Sequence, residues 1–183
     1  MKNLSIIAAF CLFGSAFAAC PTSQTKPSPF PPAGATNLPI ASGTTITTGA
    51  MPSSAGVYKL PSNNHTINSG DINQDIDIYV QSGQTFTMNY TYNVNGSKAF
   101  NVFVDAGGAF KFNTGQFKGS KLFIWGFLIV GQDTEVQAST GFYLGPQGVL
   151  LAKDYRITLP SSAGQFLIDG GSVEMKDLYI NNY

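Results

Sequence analysis

Charged side chains are scarce in this sequence. They make up 11% of its 183 residues, against about 25% in an average soluble domain, and the ten basic residues balance the ten acidic ones. Without an excess of Lys and Arg, the chain has no basic surface of the kind that contacts nucleic-acid phosphates, which argues against a nucleic-acid partner. The surface is instead built from Ser, Thr, Asn, Gln and Gly, a composition that suits extracellular proteins.

Histidine and cysteine are nearly absent, which argues against two classes of chemistry. His65 is the sole histidine, and no Ser-His-Asp arrangement can be assembled around it. Cys11 and Cys20 do not have the spacing of a zinc site. The glycine pairs of the chain lack the strand–loop–helix setting of a phosphate-binding loop and are interpreted as turns. We therefore expect neither a metal nor a cofactor.

Long apolar runs are also missing, and the one short run lies at the N-terminus. Leu4 to Phe13 follows a basic start and precedes Ala16-Phe17-Ala18, a small-x-small cleavage site. These features predict a secretory signal peptide over residues 1–18. Since about 20 apolar residues are needed to span a bilayer, no transmembrane segment is expected, and the predicted location is extracellular.

Cysteine chemistry is limited to a single residue after cleavage. Removal of residues 1–18 leaves Cys20 alone, so no internal disulfide can form. The residues from Phe17 to Cys20 resemble the lipobox of bacterial lipoproteins, although leucine is usual where Phe17 stands. That resemblance implies a lipid anchor on Cys20 at the cell surface. Residues 19–39 are rich in Pro, Ser and Thr, as in an extended linker, and the predicted domain covers residues 40–183.

An internal repeat is the strongest feature that is present. Its template reads aromatic, aliphatic, small or polar residues, a glycine-rich corner, and an alternating apolar pair. The five aliphatic positions are Val80, Val104, Leu128, Leu144 and Leu167, at intervals of 24, 24, 16 and 23 residues. Copies of one template predict copies of one supersecondary unit, each packed on its neighbours. Strand alternation places the aliphatic position on the core face.

Two all-β architectures fit this repeat, and no helix is predicted. One is a short single-domain parallel β-helix, or β-solenoid, in which each copy is a turn; the phrase Val173–Asn182 resembles the turns of pectin-lyase-like β-helices, a pattern that extends over residues 57–183. The other is an antiparallel β-sandwich of hairpins that turn at the glycines, which resembles the CUB-like domains but lacks their cysteine pairs. The recurring side chains favour the solenoid, whereas the 16-residue interval favours the hairpins.

An aromatic residue precedes each aliphatic position and is predicted to face outward. The five aromatic positions are Tyr79, Phe103, Phe127, Tyr143 and Phe166, and Trp125 lies on the same side. Stacked turns would set these rings about 4.8 Å apart, as a column that suits the faces of sugars. Alternatively, the rings stack on one another under a loop or the N-terminal segment and contribute only stability.

Acidic residues are scattered along the chain. Asp75, Asp77 and Asp105 are the only ones that the repeat brings towards one another, and no arginine joins them in register. They are the candidate catalytic residues of a polysaccharide lyase or glycoside hydrolase, which need clustered carboxylates. A hydrated polar face explains them as well.

These features predict a secreted or surface-tethered module that binds or supports without catalysis. Its expected partner is a glycan or an extracellular protein, bound through the aromatic-lined sheet. The alternatives are a carbohydrate-active enzyme and an extracellular structural protein that self-associates through an uncovered solenoid end. In a eukaryotic secretory pathway three sequons would accept N-glycans, at Asn64, Asn89 and Asn95.

Overall fold

A computed structural model describes residues 24–40, 48–90, 94–113, 116–131, 134–152, 155–159, 165–175 and 178–182. In this part of the chain the regular secondary structure is entirely β-strand. The strands are β1 Thr36–Asn37, β2 Thr48–Gly49, β3 Gly56–Lys59, β4 Asn64–Ile67, β5 Ile76–Val80, β6 Thr85–Met88, β7 Phe100–Val104, β8 Ala109–Phe112, β9 Gln116–Ile124, β10 Phe127–Val130, β11 Thr134–Leu144, β12 Val149–Ala152, β13 Tyr155–Leu159, β14 Gln165–Ile168, β15 Ser172–Met175 and β16 Leu178–Asn182.

The strands form two sheets that wind into a parallel β-solenoid. Sheet A has the order β1-β3-β5-β7-β9-β11-β13-β16, with β14 also pairing with β11, and sheet B has the order β15-β12-β10-β8-β6-β4-β2. Every pair of named strands in the described ranges is parallel. The solenoid prediction is therefore confirmed, and the antiparallel sandwich of hairpins is wrong.

The register of the strands corrects the alignment of the repeat. The core position of sheet A is occupied in successive turns by Val80, Val104, Ile124, Leu144 and Ile168. The intervals are thus 24, 20, 20 and 24 residues, and the apparent 16-residue turn does not exist. Leu128 lies in sheet B, in register with Phe110 and Leu150. The sequence alignment is wrong there because both sheets show the same apolar alternation. Phe127-Leu128 at the start of β10 has the same aromatic–aliphatic pattern as Phe123-Ile124 at the end of β9.

Glycine allows the tight corner that leads from sheet A into sheet B. A Cβ atom at Gly126 would lie 2.2 Å from the carbonyl oxygen of Asp105 and 2.3 Å from that of Gly108. The backbone N–H of Phe127 donates to the Gly108 oxygen at 2.9 Å, which ties one corner to the next. Only a residue without a side chain permits this approach. Gly126, and not Gly131, is consequently the corner glycine of the third copy.

The inner faces of the two sheets share one apolar core. Phe86 and Phe110 are in register on β6 and β8, and their rings stack with centroids 5.4 Å apart. His65 is buried beside them, in register with Phe86. Stacking of equivalent side chains from turn to turn adds about 0.5–1.5 kcal/mol per aromatic pair beyond the burial of apolar area.

One long strand of sheet A pairs with two separate strands of the next turn. The first part of β11 pairs with β13, whereas its last four residues pair with β14. The register between β11 and β9 shifts between Ala138 and Gly141, so an irregularity separates the two parts of β11.

The N-terminal segment joins the solenoid before residue 40. β1 pairs with β3 in sheet A. Leu38 belongs to the core, and its N–H donates to the Lys59 oxygen at 2.8 Å. Part of the stretch expected to be a linker is therefore packed on the domain. The expected signal peptide over residues 1–18 and Cys20 lie outside the described residues.

Candidate functional site

Four aromatic rings stand in register on the outer face of sheet A. Tyr79 is paired with Phe103, Phe103 with Phe123, and Phe123 with Tyr143. We call these four residues the aromatic file. Leu167 takes the equivalent position in the following turn. Because the strands are parallel and in register, each turn places one outward side chain directly above the last.

The file contains three of the five predicted aromatic residues, namely Tyr79, Phe103 and Tyr143. The other two lie elsewhere. Phe127 is in β10 and faces outward from sheet B, where it is 38% exposed. Phe166 is in register with Phe142, one position away from the file. The prediction of one outer column is therefore wrong at these two positions.

Phe123 is the member of the file that the sequence alignment missed. The sequence does contain the pattern that identifies Phe123. Phe123-Ile124 is an aromatic–aliphatic pair, separated from the corner glycine Gly126 only by Trp125. Phe127-Leu128 fits the same template and keeps a 24-residue interval after Val104, but it shortens the next interval to 16 residues. The close packing at Gly126, seen only in the folded chain, distinguishes the two choices.

The rings of the file face one another. The centroids of Tyr79 and Phe103 are 4.5 Å apart with planes 7° from parallel, and those of Phe103 and Phe123 are 5.1 Å apart at 1°. Parallel rings at these separations stack with a lateral offset, so each ring covers part of its neighbour's face. Tyr143 is tilted by 49° relative to Phe123. Since a sugar stacks on the open face of a ring, this arrangement favours the stability interpretation over a sugar platform.

Trp125 and Phe30 cover one side of the file. Phe30 comes from the N-terminal segment and meets Tyr79 edge to face, with centroids 5.1 Å apart at 69°. It meets Trp125 in the same way, at 6.4 Å and 84°. Under this cover Tyr79 is 5% and Trp125 8% exposed, whereas Phe103 and Phe123 remain partly exposed. At Tyr79 and Trp125 the arrangement is that of the second alternative given by the sequence, a column of rings covered by the N-terminal segment.

An ion pair holds the same segment at a second point. Lys26 Nζ lies 2.7 Å from Asp105 Oδ1 and 5.8 Å from the centroid of Phe30. Asp105 Oδ1 also accepts a hydrogen bond from the N–H of Ala106 at 2.8 Å. An exposed pair of this kind contributes about 0–1 kcal/mol. Its main effect is therefore to orient the segment, while the apolar contact of Phe30 holds it.

The hydroxyl groups of the two tyrosines of the file lie in different surroundings. Burial, and secondarily the negative charge of Asp77, raises the pKa of Tyr79 to about 12. The hydroxyl of Tyr143 donates to Asp169 Oδ2 at 3.0 Å. Ionisation of Tyr79 would place a negative charge in an apolar stack, which is why the neutral phenol persists to high pH.

The three candidate acidic residues are bonded separately and do not converge. Asp75 Oδ1 accepts from the N–H of Ala99 at 2.9 Å, and Asp77 Oδ1 accepts from Asn101 Nδ2 at 2.7 Å. Asp105 follows Asn101 by four residues, so Asp77 and Asp105 lie about 13 Å apart at the rise of a strand. Glycosidases hold their two carboxyl groups about 5–9.5 Å apart. Asp77 and Asp105 are therefore too far apart to form such a pair. Asp75 and Asp77, two residues apart, are about 7 Å apart at the same rise, and each already accepts a hydrogen bond from the next turn.

The described residues contain no cluster of three or more His, Cys, Asp or Glu side chains that would bind a metal ion. In the same ranges, no helix is long and apolar enough to cross a membrane.

Asparagine side chains form a hydrogen-bonded ladder just after the C-terminal ends of strands β4, β6 and β8 of sheet B. Asn89 Nδ2 donates to Asn68 Oδ1 at 3.1 Å, and Asn113 Nδ2 donates to Asn89 Oδ1 at 2.8 Å. Two other sequon residues were predicted. Asn95 Nδ2 donates to Oδ1 of Asn73 in the preceding turn. Asn64 is exposed at the start of β4. Asn89 and Asn95 therefore already connect successive turns through their side-chain amides.

Comparison with known proteins gives no match to a family model, to a curated protein or to a solved structure. Function is therefore inferred from the contacts of the chain itself.

Proposed function

We propose that this protein is a secreted or surface-tethered β-solenoid that acts without catalysis, as a structural and binding module of the extracellular space. In this proposal the aromatic file holds the proline-rich N-terminal segment, and that segment tethers the domain. The observation that carries it is the seating of Phe30 against Tyr79 and Trp125, together with the ion pair between Lys26 and Asp105.

The composition of the segment suits a docked tether. Proline is frequent around Phe30, and its fixed φ angle leaves little backbone freedom to lose on docking. The file offers a rigid receptor, because each of its rings is held by the turn above and the turn below. Phe30 and Lys26 thus hold the segment at two defined points of the solenoid wall.

The geometry supports a polypeptide aromatic as the group held by the file. Phe30 inserts at the side of the stack in edge-to-face contacts, which stacked rings can accept without opening. Phe103 and Phe123 are partly exposed and are the positions where a glycan would still make contact. Glycan binding is therefore tested alongside the tether, on an array of neutral and acidic glycans. Loss of any signal in Phe103→Ala and Phe123→Ala would support the glycan.

Trp125 provides a direct test of the tether, because it is the only tryptophan of the chain. In Phe30→Ala we expect its fluorescence emission to shift to longer wavelength and its quenching by acrylamide to increase. The matched control is Phe127→Ala, which removes the same ring from the other sheet and should leave the emission unchanged. An unchanged spectrum in Phe30→Ala would contradict the tether.

The extracellular location has its own test. A tagged full chain expressed in a secreting host should be recovered from the medium or from the cell surface. Replacement of Cys20 by Ser should move surface-bound protein to the medium if a lipid on that residue is the anchor. Recovery of the tagged chain from the cytoplasm would contradict the proposed location.

A further inference from the structure

The outer face of sheet B carries an apolar patch. In β10 and β12, Leu128 and Leu150 point into the core, so the alternate residues of these strands face outward. These outward residues are Phe127, Ile129, Val149 and Leu151, which we call the sheet B patch. Phe127 is 38% exposed and the other three are partly exposed.

The patch is confined to one part of sheet B. In the earlier strands β4 and β6 the equivalent outward positions are polar, with Asn64 and Thr66 followed by Thr85 and Thr87. A flat apolar area bordered by polar residues marks a protein interface more often than a scattered apolar side chain does. The change from Thr to Ile and Leu along one row makes this part of sheet B the candidate surface for a partner.

Opposite charges border the patch at its two ends. One outward row runs, in register, through Lys111, Ile129, Leu151 and Glu174. The row thus reads positive, apolar, apolar, negative, with one strand spacing of about 4.8 Å between neighbours. The parallel row runs through Ala109, Phe127, Val149 and Ser172.

This sequence of side chains is complementary to a copy of itself. A two-fold axis that lies in the interface, parallel to the strands and midway between β10 and β12, turns the row over. It places Lys111 of each copy opposite Glu174 of the other and Ile129 opposite Leu151. A two-fold axis parallel to the solenoid would instead set Lys111 against Lys111 and Glu174 against Glu174. The charges therefore select one orientation, with the two solenoids antiparallel.

We propose that the sheet B patch is a homodimer interface, whose occupant is the same patch on a second copy of this chain. Face-to-face packing of the two sheets, about 10 Å apart, would bury the four apolar side chains of each copy. This interface is distinct from the solenoid end, through which the sequence predicted self-association, and it does not depend on the tether.

The size of the patch sets the expected affinity. Four strands at about 4.8 Å and four residues at about 3.3 Å give roughly 250 Å² of sheet on each copy. A stable standard interface buries about 800 Å² on each partner. The dimer is therefore weak, with an expected dissociation constant between about 10 µM and 1 mM.

A charge exchange tests both the interface and its orientation. In sedimentation equilibrium over 5 µM to 1 mM protein, about the range that brackets the expected constant, Lys111→Glu or Glu174→Lys alone should weaken the dimer about tenfold, because symmetry repeats the pair twice. The double variant Lys111→Glu/Glu174→Lys should restore the wild-type affinity. Lys121→Glu on the outer face of sheet A makes the same change of charge and should have no effect.

The apolar part has a separate variant. Phe127→Ser removes the one aromatic ring of the sheet B patch and should weaken the dimer at least about tenfold. Salt at 1 M should reduce the difference between wild type and the single charge variants, because it screens the exposed pair. A chain that remains monomeric at 1 mM overturns the proposal, and so does a dimer whose affinity is equal in wild type, the charge variants and Phe127→Ser.

Discussion

The imidazole ring of His65 fills the space that a side chain at residue 49 would need. A Cβ atom on Gly49 would lie 2.0 Å from Nε2 of His65 and 2.6 Å from Cε1. The two residues lie on β2 and β4, adjacent strands of sheet B. Since His65 is buried, its ring has no open space into which to move, and the first turn of sheet B depends on the absence of a side chain at residue 49.

Gly49→Ala is therefore expected to lower the free energy of unfolding by about 1–3 kcal/mol, the usual cost of overpacking a core. Urea unfolding followed by circular dichroism measures the change. In the background of His65→Ala the same substitution should cost much less, because the opposing ring is gone. Equal costs in both backgrounds would show that the two residues are not in contact.

Two neighbouring residues of β10 lie on opposite faces of sheet B and should respond differently to truncation. Leu128 is fully buried and Phe127 faces outward. Leu128→Ala should destabilise the fold by about 2–5 kcal/mol. Phe127→Ala should cost less than about 1 kcal/mol at a protein concentration where the chain is monomeric. A cost of Phe127→Ala equal to or above that of Leu128→Ala would contradict the outward position of Phe127.

The stack within the aromatic file should be measurable as a coupling energy. A double-mutant cycle of Phe103→Ala and Phe123→Ala is expected to give about 0.5–1.5 kcal/mol, as for other stacked pairs. The control cycle combines Phe103→Ala with Phe110→Ala, because Phe110 lies in the core behind sheet B and does not join the file. Coupling of the same size in both cycles would indicate a general loosening of the fold.

Tyr79 links stability to pH in the alkaline range. Its pKa is about 12 in the folded chain, whereas an unfolded tyrosine loses its proton near pH 10. Between these values the unfolded chain binds fewer protons than the folded one, so stability is complete below about pH 10 and falls as pH rises towards about 12. Burial, and then Asp71, also raises the pKa of Tyr90, which acts in the same direction.

Tyr79→Phe should reduce this alkaline loss of stability, measured as the urea midpoint between pH 8 and pH 11. Absorbance titration at 295 nm should show one late-titrating phenol fewer than in wild type. Tyr90→Phe should give a further, independent reduction. An unchanged dependence on pH in Tyr79→Phe would show that the phenol is not held in its neutral form by the fold.

The repeat of the chain predicts the all-β class and favours the solenoid, but it leaves the antiparallel sandwich of hairpins open. Alternation around Val80, Val104 and Leu144 indicated strands with a core side, and the recurrence of those residues indicated stacked turns. It also identified Tyr79, Phe103 and Tyr143 as outward rings of one column. The exchange of Phe123 for Phe127 shows where this reasoning fails, since two short apolar segments separated by a glycine fit the same template.

Composition and alternation by themselves determined that the chain forms strands, that it stacks equivalent side chains, and that charge plays a small part. Strand formation follows from local alternation, and stacking is indicated by the recurrence of the same residue types along the chain. Tertiary structure decided the rest: that Phe127 lies in sheet B, that the rings of the file stack on one another, and that Phe30 packs against Tyr79. Each of these depends on residues more than 15 positions apart in the chain, whose proximity is set by the close approach of backbones at corners such as Gly126.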